Sequence, residues 1–410
     1  MTDISPPKGR GALAKREARL AWGLLFPTIA IVALVVIVPL LAIFWISVKP
    51  VKLGDLRPAE MRLRISLREG DQPQVEYRVI NPSREHEIHG AGFDTTLPPG
   101  VTLTGDLPKG CALNGQDLRC DFGDLAPGLN TRYRIDAQIA GDDRAIKRAV
   151  RDSGVVVRGQ VDNMLTNTTF TLENFRKLFS GTEFWSVLGV TLFYTIFGTL
   201  GALLVGLFAA LLLNKDFRGQ GILRGLYLFP YVAPVIAVAF TWITLFDPFS
   251  GSANALLVQM GVSQGAINFF GQKPLALIMV TVFEIWRYFP LSFLFILARM
   301  QSIDTDMYEA ADMDGASPFQ KFWYLSMPQL LGILSVLFLL RFIWTFNKFD
   351  DIFLLTGGNA GTRTLTVDVY EQAFAVSNIG AGAAVAVVVF GCLLLFAALF
   401  FRTMSREEGL

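Results

Sequence analysis

The chain has 410 residues, of which 52% are aliphatic, aromatic or cysteine, and a net charge of +1. Its positive mean hydropathy excludes an ordinary soluble protein of this length, and a near-neutral charge gives no bulk attraction to nucleic acid. With only two His and three Cys, a zinc cluster or haem has little to work with, and no metal site is expected.

Residues 1 to 20 are polar and basic, with Lys8, Arg10, Lys15, Arg16 and Arg19 against Asp3 and Glu17. Residues 21 to 47 are almost wholly apolar, longer than the ~20 residues a membrane helix needs. A cleaved signal peptide is the alternative, but its apolar core would be shorter and no small-residue cleavage site follows Trp45. The expectation is an uncleaved first span with its basic tail in the cytoplasm.

Residues 48 to 169 change character. Met61, Leu63, Ile65 and Leu67 alternate with Arg62, Arg64, Ser66 and Arg68. Val75, Tyr77 and Val79 alternate with Glu76, Arg78 and Ile80, and Arg132 to Ala137 and Val155 to Val161 suggest two more strands. Turn signals at Asn81-Pro82, Pro98-Pro99-Gly100, Asn114-Gly115, Ala126-Pro127-Gly128 and Gly141-Asp142-Asp143 separate them. Several short strands at this spacing predict an inserted β-sandwich, extracytoplasmic if the N-terminus is inside. Cys111 and Cys120 flank the Asn114-Gly115 turn, and outside the cytoplasm a disulfide between them is expected. His86 and His89 lack a third ligand nearby, which favours a solvated loop over zinc. The run LPPGVTL, the two cysteines and DFGDLAPG resemble a bacterial immunoglobulin-like repeat domain.

Residues 170 to 184 suggest an amphipathic surface helix with Phe175, Leu178 and Phe179 on one face. Apolar runs predict further spans at 185–213, 225–246, 274–298, 329–346 and 379–401. The second carries Gly189, Gly198, Gly201 and Gly206 for close helix approach. The third is broken by Pro230 and Pro234, freeing carbonyls that a neighbouring helix or a cavity must satisfy. Ala255 to Met260 suggests a short surface helix. The fourth span carries Glu284 and Arg287 one turn apart, so they could pair. Charge within a span points either to a pathway through the bundle or to a structural ion pair. Trp286, Tyr288, Trp344 and Asn347 are chemically suited to stacking on and hydrogen-bonding a sugar, although most aromatics in membrane proteins pack or form interfacial belts. Residues 347 to 378 read as an outer loop. Basic residues near the short loops place both ends of a six-span chain in the cytoplasm, with 403–410 as the C-terminal tail.

Between the fourth and fifth spans lies loop 299–328. Asp304, Asp306, Glu309, Asp312 and Asp314 crowd its first half. Asp306 is expected to cap a helix, with Glu309 completing a capping box, and Gly315 to end it in the left-handed conformation. Ser317 then caps a second helix with Pro318 at its first position. Phe319, Phe322 and Trp323 share a face, and Pro328 opens the next span.

Glu309-Ala310-Ala311, then Gly315, then Leu325-Ser326-Met327-Pro328 resemble the EAA signature of ABC-importer permease subunits. Leu325 and Met327 depart mildly from its usual Ile-x-Leu-Pro ending. With Asp314-Gly315-Ala316, the string is similar to the maltose-type, carbohydrate-uptake branch. The stretch LLTGGNAGTRTLTVDVYEQAF and the Asn-Phe lead-in before the second span resemble the same branch. The likeness covers residues 20 to 47 and 170 to 402. It implies a polytopic α-helical permease in the inner membrane, with 305–316 as a coupling helix docked on a cytoplasmic ATPase. Glu309, Ala310, Ala311, Asp314, Gly315 and Pro328 would be its coupling residues. It further implies an ABC ATPase dimer, a second permease subunit and an extracytoplasmic sugar-binding protein as partners.

No Walker A sequence occurs. The Gly357-Gly358 run lacks the Gly-Lys-Ser/Thr ending of a phosphate loop. The chain is therefore expected to be no enzyme and to bind no cofactor itself, with ATP and Mg handled by the partner. Two rival readings are an ion-gradient-driven secondary transporter and a membrane-anchored sensor that uses the outer domain.

Overall fold

A computed structural model of the chain describes residues 12–56, 60–68, 72–83, 86–161, 165 and 167–407. Lys8 and Arg10 of the basic tail and residues 408–410 lie outside these, as do the side chains of Lys15 and Arg406. The chain divides into two compact units: Met1–Val48 with Leu172–Leu410, and Lys49–Thr171.

The first unit opens with α1 (Ala12–Val32) and α2 (Val38–Ser47), joined through a π-helical turn at Ala33–Ile37. Arg16–Ser47 is long and apolar enough to cross a bilayer.

In the second unit the strands are β1 (Arg62–Arg68), β2 (Gln74–Ile80), β3 (Ile88–Thr96), β4 (Val101–Leu103), β5 (Cys111–Asn114), β6 (Asp117–Leu125) and β7 (Asn130–Ile139). Helix α3 (Asp143–Arg151) and β8 (Val155–Gln160) follow. They form two antiparallel sheets, ordered β1-β2-β7-β4 and β5-β6-β3-β8. Alternation decides which side of each strand is buried. Leu67, Val75, Tyr77, Val79 and Ile135 from one sheet share a core with Ile88, Ala91, Phe93, Leu118 and Leu125 from the other. The rings of Tyr77 and Phe93 stack at 5.3 Å between the sheets. Cys111 pairs with Cys120 across β5 and β6 and forms a disulfide there. His86 meets Asp55 at 2.8 Å and His89 meets Asp124 at 3.3 Å.

The first unit resumes with α4 (Glu173–Ser180) and α5 (Thr182–Leu213). In α4 the buried side chain is that of Asn174, which donates to the Ser47 carbonyl at 2.8 Å, while Phe179 stays exposed. The third apolar run is not a straight span. It divides into α6 (Gln220–Tyr227), α7 (Phe229–Val232) and α8 (Val235–Leu245), with a 91° bend at Ala233-Pro234. Proline there removes a donor and clashes with the preceding turn. Then come α9 (Ser252–Gln259), α10 (Leu275–Gln301), α11 (Thr305–Met313), α12 (Pro318–Lys321) and α13 (Met327–Phe346). A π-helical turn at Phe322–Ser326 joins the last two into one apolar stretch, Pro318–Phe346. The expected outer loop 347–378 is largely helical. It holds α14 (Asp350–Thr356) and α15 (Leu365–Tyr370), with Ile352, Leu355, Leu365 and Val367 buried. The last helix is α16 (Ile379–Glu407).

Among the described residues five helices are long and apolar enough to span a membrane, or six if the bent pair counts as one. Helices α5, α10 and α13 share a core of Leu203, Leu207, Phe293, Ile296, Leu330 and Leu337. Glycine permits the approach of α5 to α10. A Cβ on Gly206 would lie 2.8 Å from the Phe293 backbone nitrogen, and one on Gly201 2.3 Å from Ile285. Gly189 meets nothing within 4 Å, so it plays no such part here.

Candidate functional site

The polar elbow between α10 and α13 is built from local signals. Asp304, rather than Asp306, caps α11. Its carboxylate accepts from the Asp306 N–H at 3.1 Å, so the helix starts two residues early and Glu309 closes no capping box. At the other end Gly315 takes φ +74°. The Ala316 N–H reaches the Ala311 carbonyl at 2.9 Å and the Gly315 N–H reaches that of Asp312 at 3.0 Å. These two bonds are the paired closure of a Schellman motif. The capping box occurs instead on α12. There the Gln320 N–H donates to Ser317 Oγ at 3.3 Å, and the Ser317 N–H donates to Gln320 Oε1 at 2.8 Å.

Two side-chain ties hold the arms together. Tyr308 and Ser326 share a hydroxyl hydrogen bond of 2.8 Å, and Lys321 meets Asp312 at 2.5 Å. Lys321 therefore neutralises one of the five acids. Glu309, Ala310, Asp314, Gly315 and Pro328 are exposed, and Ala311 is half-buried. Met313 is 89% exposed, and Phe319 and Tyr324 are also open. The elbow thus presents carboxylates beside large apolar side chains, the composition of a protein-binding surface. Phe319 and Trp323 meet edge to face with ring centres 6.1 Å apart, whereas Phe322 turns into the α5–α10–α13 core. The apolar contribution of Met313 and Tyr324 went unread in the sequence. Only their exposure beside the acids, known once the elbow is folded, reveals it.

A second concentration of charge lies inside the helices. Glu284 is fully buried and accepts from Arg341 Nη2 at 2.5 Å, Thr345 Oγ1 at 2.9 Å and Tyr194 Oη at 3.0 Å. Its partner is therefore Arg341, not Arg287. Arg287 instead donates to the carbonyls of Pro230 at 3.2 Å and Ala233 at 3.1 Å, the groups freed by the bend at Pro234. Arg341 and Lys348 lie over the Tyr288 ring at 4.5 and 4.2 Å, a cation–π arrangement. Lys348 donates to the Tyr288 hydroxyl and meets buried Asp351 at 3.7 Å.

Of the six residues expected along a substrate pathway, Glu284, Arg287 and Tyr288 gather in this cluster and three do not. Trp286 packs on Trp242 at 5.5 Å and lines an apolar cavity of about 520 Å³ with Phe208, Tyr227 and Phe289. Trp344 is exposed, and the Asn347 amide is spent on the Ile343 carbonyl at 2.9 Å.

Long apolar helices and a broken third run define a polytopic membrane subunit, with an exposed two-helix elbow ahead of α13. Residues 202–406 match the family described as binding-protein-dependent transport system inner membrane component, and the chain belongs to that family. Such a subunit is not an enzyme. The chain is 34% identical over 240 residues to the inner membrane ABC transporter permease protein YcjO of Escherichia coli, covering 57% of this chain and 78% of that one. It is 32% identical over 232 residues to the trehalose/maltose transport system permease protein MalF of Thermococcus litoralis, covering 56% and 78%. In fold it resembles a chain of a bacterial ABC transporter that imports the acidic polysaccharide alginate. That likeness has a TM-score of 0.53 at 20% identity and covers 59% of this chain and 85% of the other.

Proposed function

We propose that the chain is the permease subunit of an ATP-driven importer that carries a mono- or oligosaccharide into the cytoplasm. The bent pair counts as the third of six spans, both termini are cytoplasmic, and Lys49–Thr171 is an extracytoplasmic immunoglobulin-like β-sandwich inserted after the first span. Energy enters through α11 from a separate ATPase dimer that binds ATP and Mg. A second, related permease subunit completes the pathway, and a soluble sugar-binding protein delivers substrate from outside.

The observation that carries this reading is the elbow. Its acids are solvent-facing, four of the five lack a basic partner among the described residues, and rigid caps at both arms hold them. A helix displayed in this way suits transmission of force to a docked partner with a basic cleft. Glu309, Ala310, Ala311, Asp314 and Gly315 form that docking arm, and Pro328 passes movement into α13. ATP-driven closure of the two ATPase subunits would shift α11 and tilt the attached spans.

Glu284 and Asp351 are the features a gradient-driven carrier would use. Uptake of labelled trehalose or maltose into vesicles containing the assembled complex separates the two mechanisms. Uptake that persists with an uncoupler and stops without ATP supports the importer; the opposite pattern supports a gradient-driven carrier.

A further inference from the structure

The outward face of the β1-β2-β7 sheet carries an arrangement that folding alone disfavours. Register places Arg64 opposite Arg78 and Arg78 opposite Arg132, a row of three arginines across adjacent strands. Like charges directly opposite one another destabilise a sheet. The neighbouring row sets Ser66, Glu76 and Arg134 side by side, and Arg62 and Arg68 flank these rows on β1. Glu76 is occupied by Arg68 and Arg134, each at 3.0 Å, and Asp136 accepts from the Gln74 amide at 2.7 Å. Among the described residues no carboxylate lies within ion-pair distance of Arg62, Arg64, Arg78 or Arg132, although Arg132 adds its charge to the field at Glu76. Arg78 donates to the Asn130 side-chain carbonyl oxygen at 2.8 Å. Helix α3 packs beside β1 and adds exposed Arg144 and Arg148.

The opposite sheet shows what a self-sufficient charged face looks like. There Arg158 meets Asp121 at 2.8 Å and Asp94 at 3.2 Å, and Arg119 lies 3.6 Å from Asp121. Acids and bases interlock on that side, whereas among the described residues the arginine row has no ion-pair partner.

We propose that this arginine face binds extended acidic oligosaccharides, chains of uronate sugars, outside the membrane. Guanidinium groups stay charged at every accessible pH and match carboxylates with two parallel hydrogen bonds. The row repeats at the strand spacing of ~4.8 Å, close to the length of one pyranose unit. A chain with one carboxylate per sugar can therefore lie across the three strands. Among the residues that share this face in β1, β2 and β7 the only large apolar side chain is Ile80. Insertion into a lipid surface draws on apolar anchors beside the basic residues, which this face otherwise lacks. The proposal rests on the carbohydrate-import reading and narrows it to anionic substrates gathered before delivery.

The test is calorimetric titration of the full chain in neutral detergent with oligogalacturonate of about six sugars, enough to cross three strands. Maltohexaose is the neutral control. The acid is expected to bind, maltohexaose not, and about 0.5 M salt to weaken binding at least roughly tenfold. Combining Arg64→Ser, Arg78→Ser and Arg132→Ser should weaken binding by about tenfold or more. The melting temperature should hold or rise, because like charges leave the sheet. If that variant fails to fold, Arg62→Ser with Arg64→Ser on exposed β1 gives the same reading. Equal binding of maltohexaose, undiminished binding by the variants, or association only with anionic lipid vesicles would overturn the proposal. Oligouronate binding by a chain that transports no sugar would refute import and leave this face standing. Sugar transport without oligouronate binding would do the reverse.

Discussion

The membrane unit handles charge in two opposite ways. Glu284 is buried and receives three hydrogen bonds, from α5 through Tyr194 and from α13 through Arg341 and Thr345. The acids of α11 are displayed to solvent, and only Asp312 is neutralised, by Lys321. The first arrangement spends its charge on joining three helices. The second keeps charge available for another molecule. Glu284 stands inside an apolar run and the elbow acids stand between two runs, but what each carboxylate meets is set by what the fold places opposite it.

Breaking the buried pair is expected to have the largest effect. Arg341→Ala removes the ion-pair partner of a fully buried carboxylate, which costs about 3–5 kcal/mol. A thermal melt in detergent should show a large fall, and Glu284→Gln combined with Arg341→Met should recover most of it. If Arg341→Ala melts like the wild type, the pair is not holding the helices together.

On the exposed side, Glu309→Lys should leave the melt unchanged while reducing ATPase association roughly a hundredfold, the scale for reversing a charge at a paired interface. Gly315→Ala acts on the elbow's shape instead. A left-handed residue with a Cβ costs about 1–2 kcal/mol, so coupled ATP hydrolysis should drop sharply while the melt falls by only a few degrees. Normal coupling in Gly315→Ala would mean that the Schellman closure is dispensable.

The smallest effect concerns Glu76 in the second unit, an acid between the two extremes. Hydrogen bonding from Arg134, joined by the charges of Arg68, Arg134 and Arg132, holds its carboxyl below the ordinary glutamate range. A depressed folded-state pKa contributes stability above the unfolded value. That stability is lost as pH falls through the folded value. The melt of the second unit should therefore weaken modestly below roughly pH 4, and Glu76→Gln should flatten that dependence. An unchanged slope in Glu76→Gln would assign the acid sensitivity to other carboxylates.

Much of the elbow was legible because its signals are local: an acid before a helix, Gly315 after it, Ser317-Pro318 at the next start. Even so, Asp304 and Asp306 carry the same chemistry two residues apart, and only folded geometry shows which one caps. The pairing of Glu284 was not legible. Arg287 is its neighbour in sequence, but Pro234 frees carbonyls that Arg287 satisfies, leaving Arg341, 57 residues away, for Glu284. Helices α14 and α15, seven and six residues long, are too short to show a period, so their region read as a loop. In the second unit β1, β2 and β7 alternate cleanly. Strand β3 does not, because register shifts between Ile88 and Gly92 break its period.

The most direct test of the central claim is affinity purification of the complex from native membranes in mild detergent, with wild type and Glu309→Lys in parallel. Wild type is expected to bring down an ATPase subunit and a second permease, and Glu309→Lys to keep the permease and lose the ATPase. Wild type emerging alone, or Glu309→Lys retaining the ATPase with full transport-coupled hydrolysis, would contradict that claim.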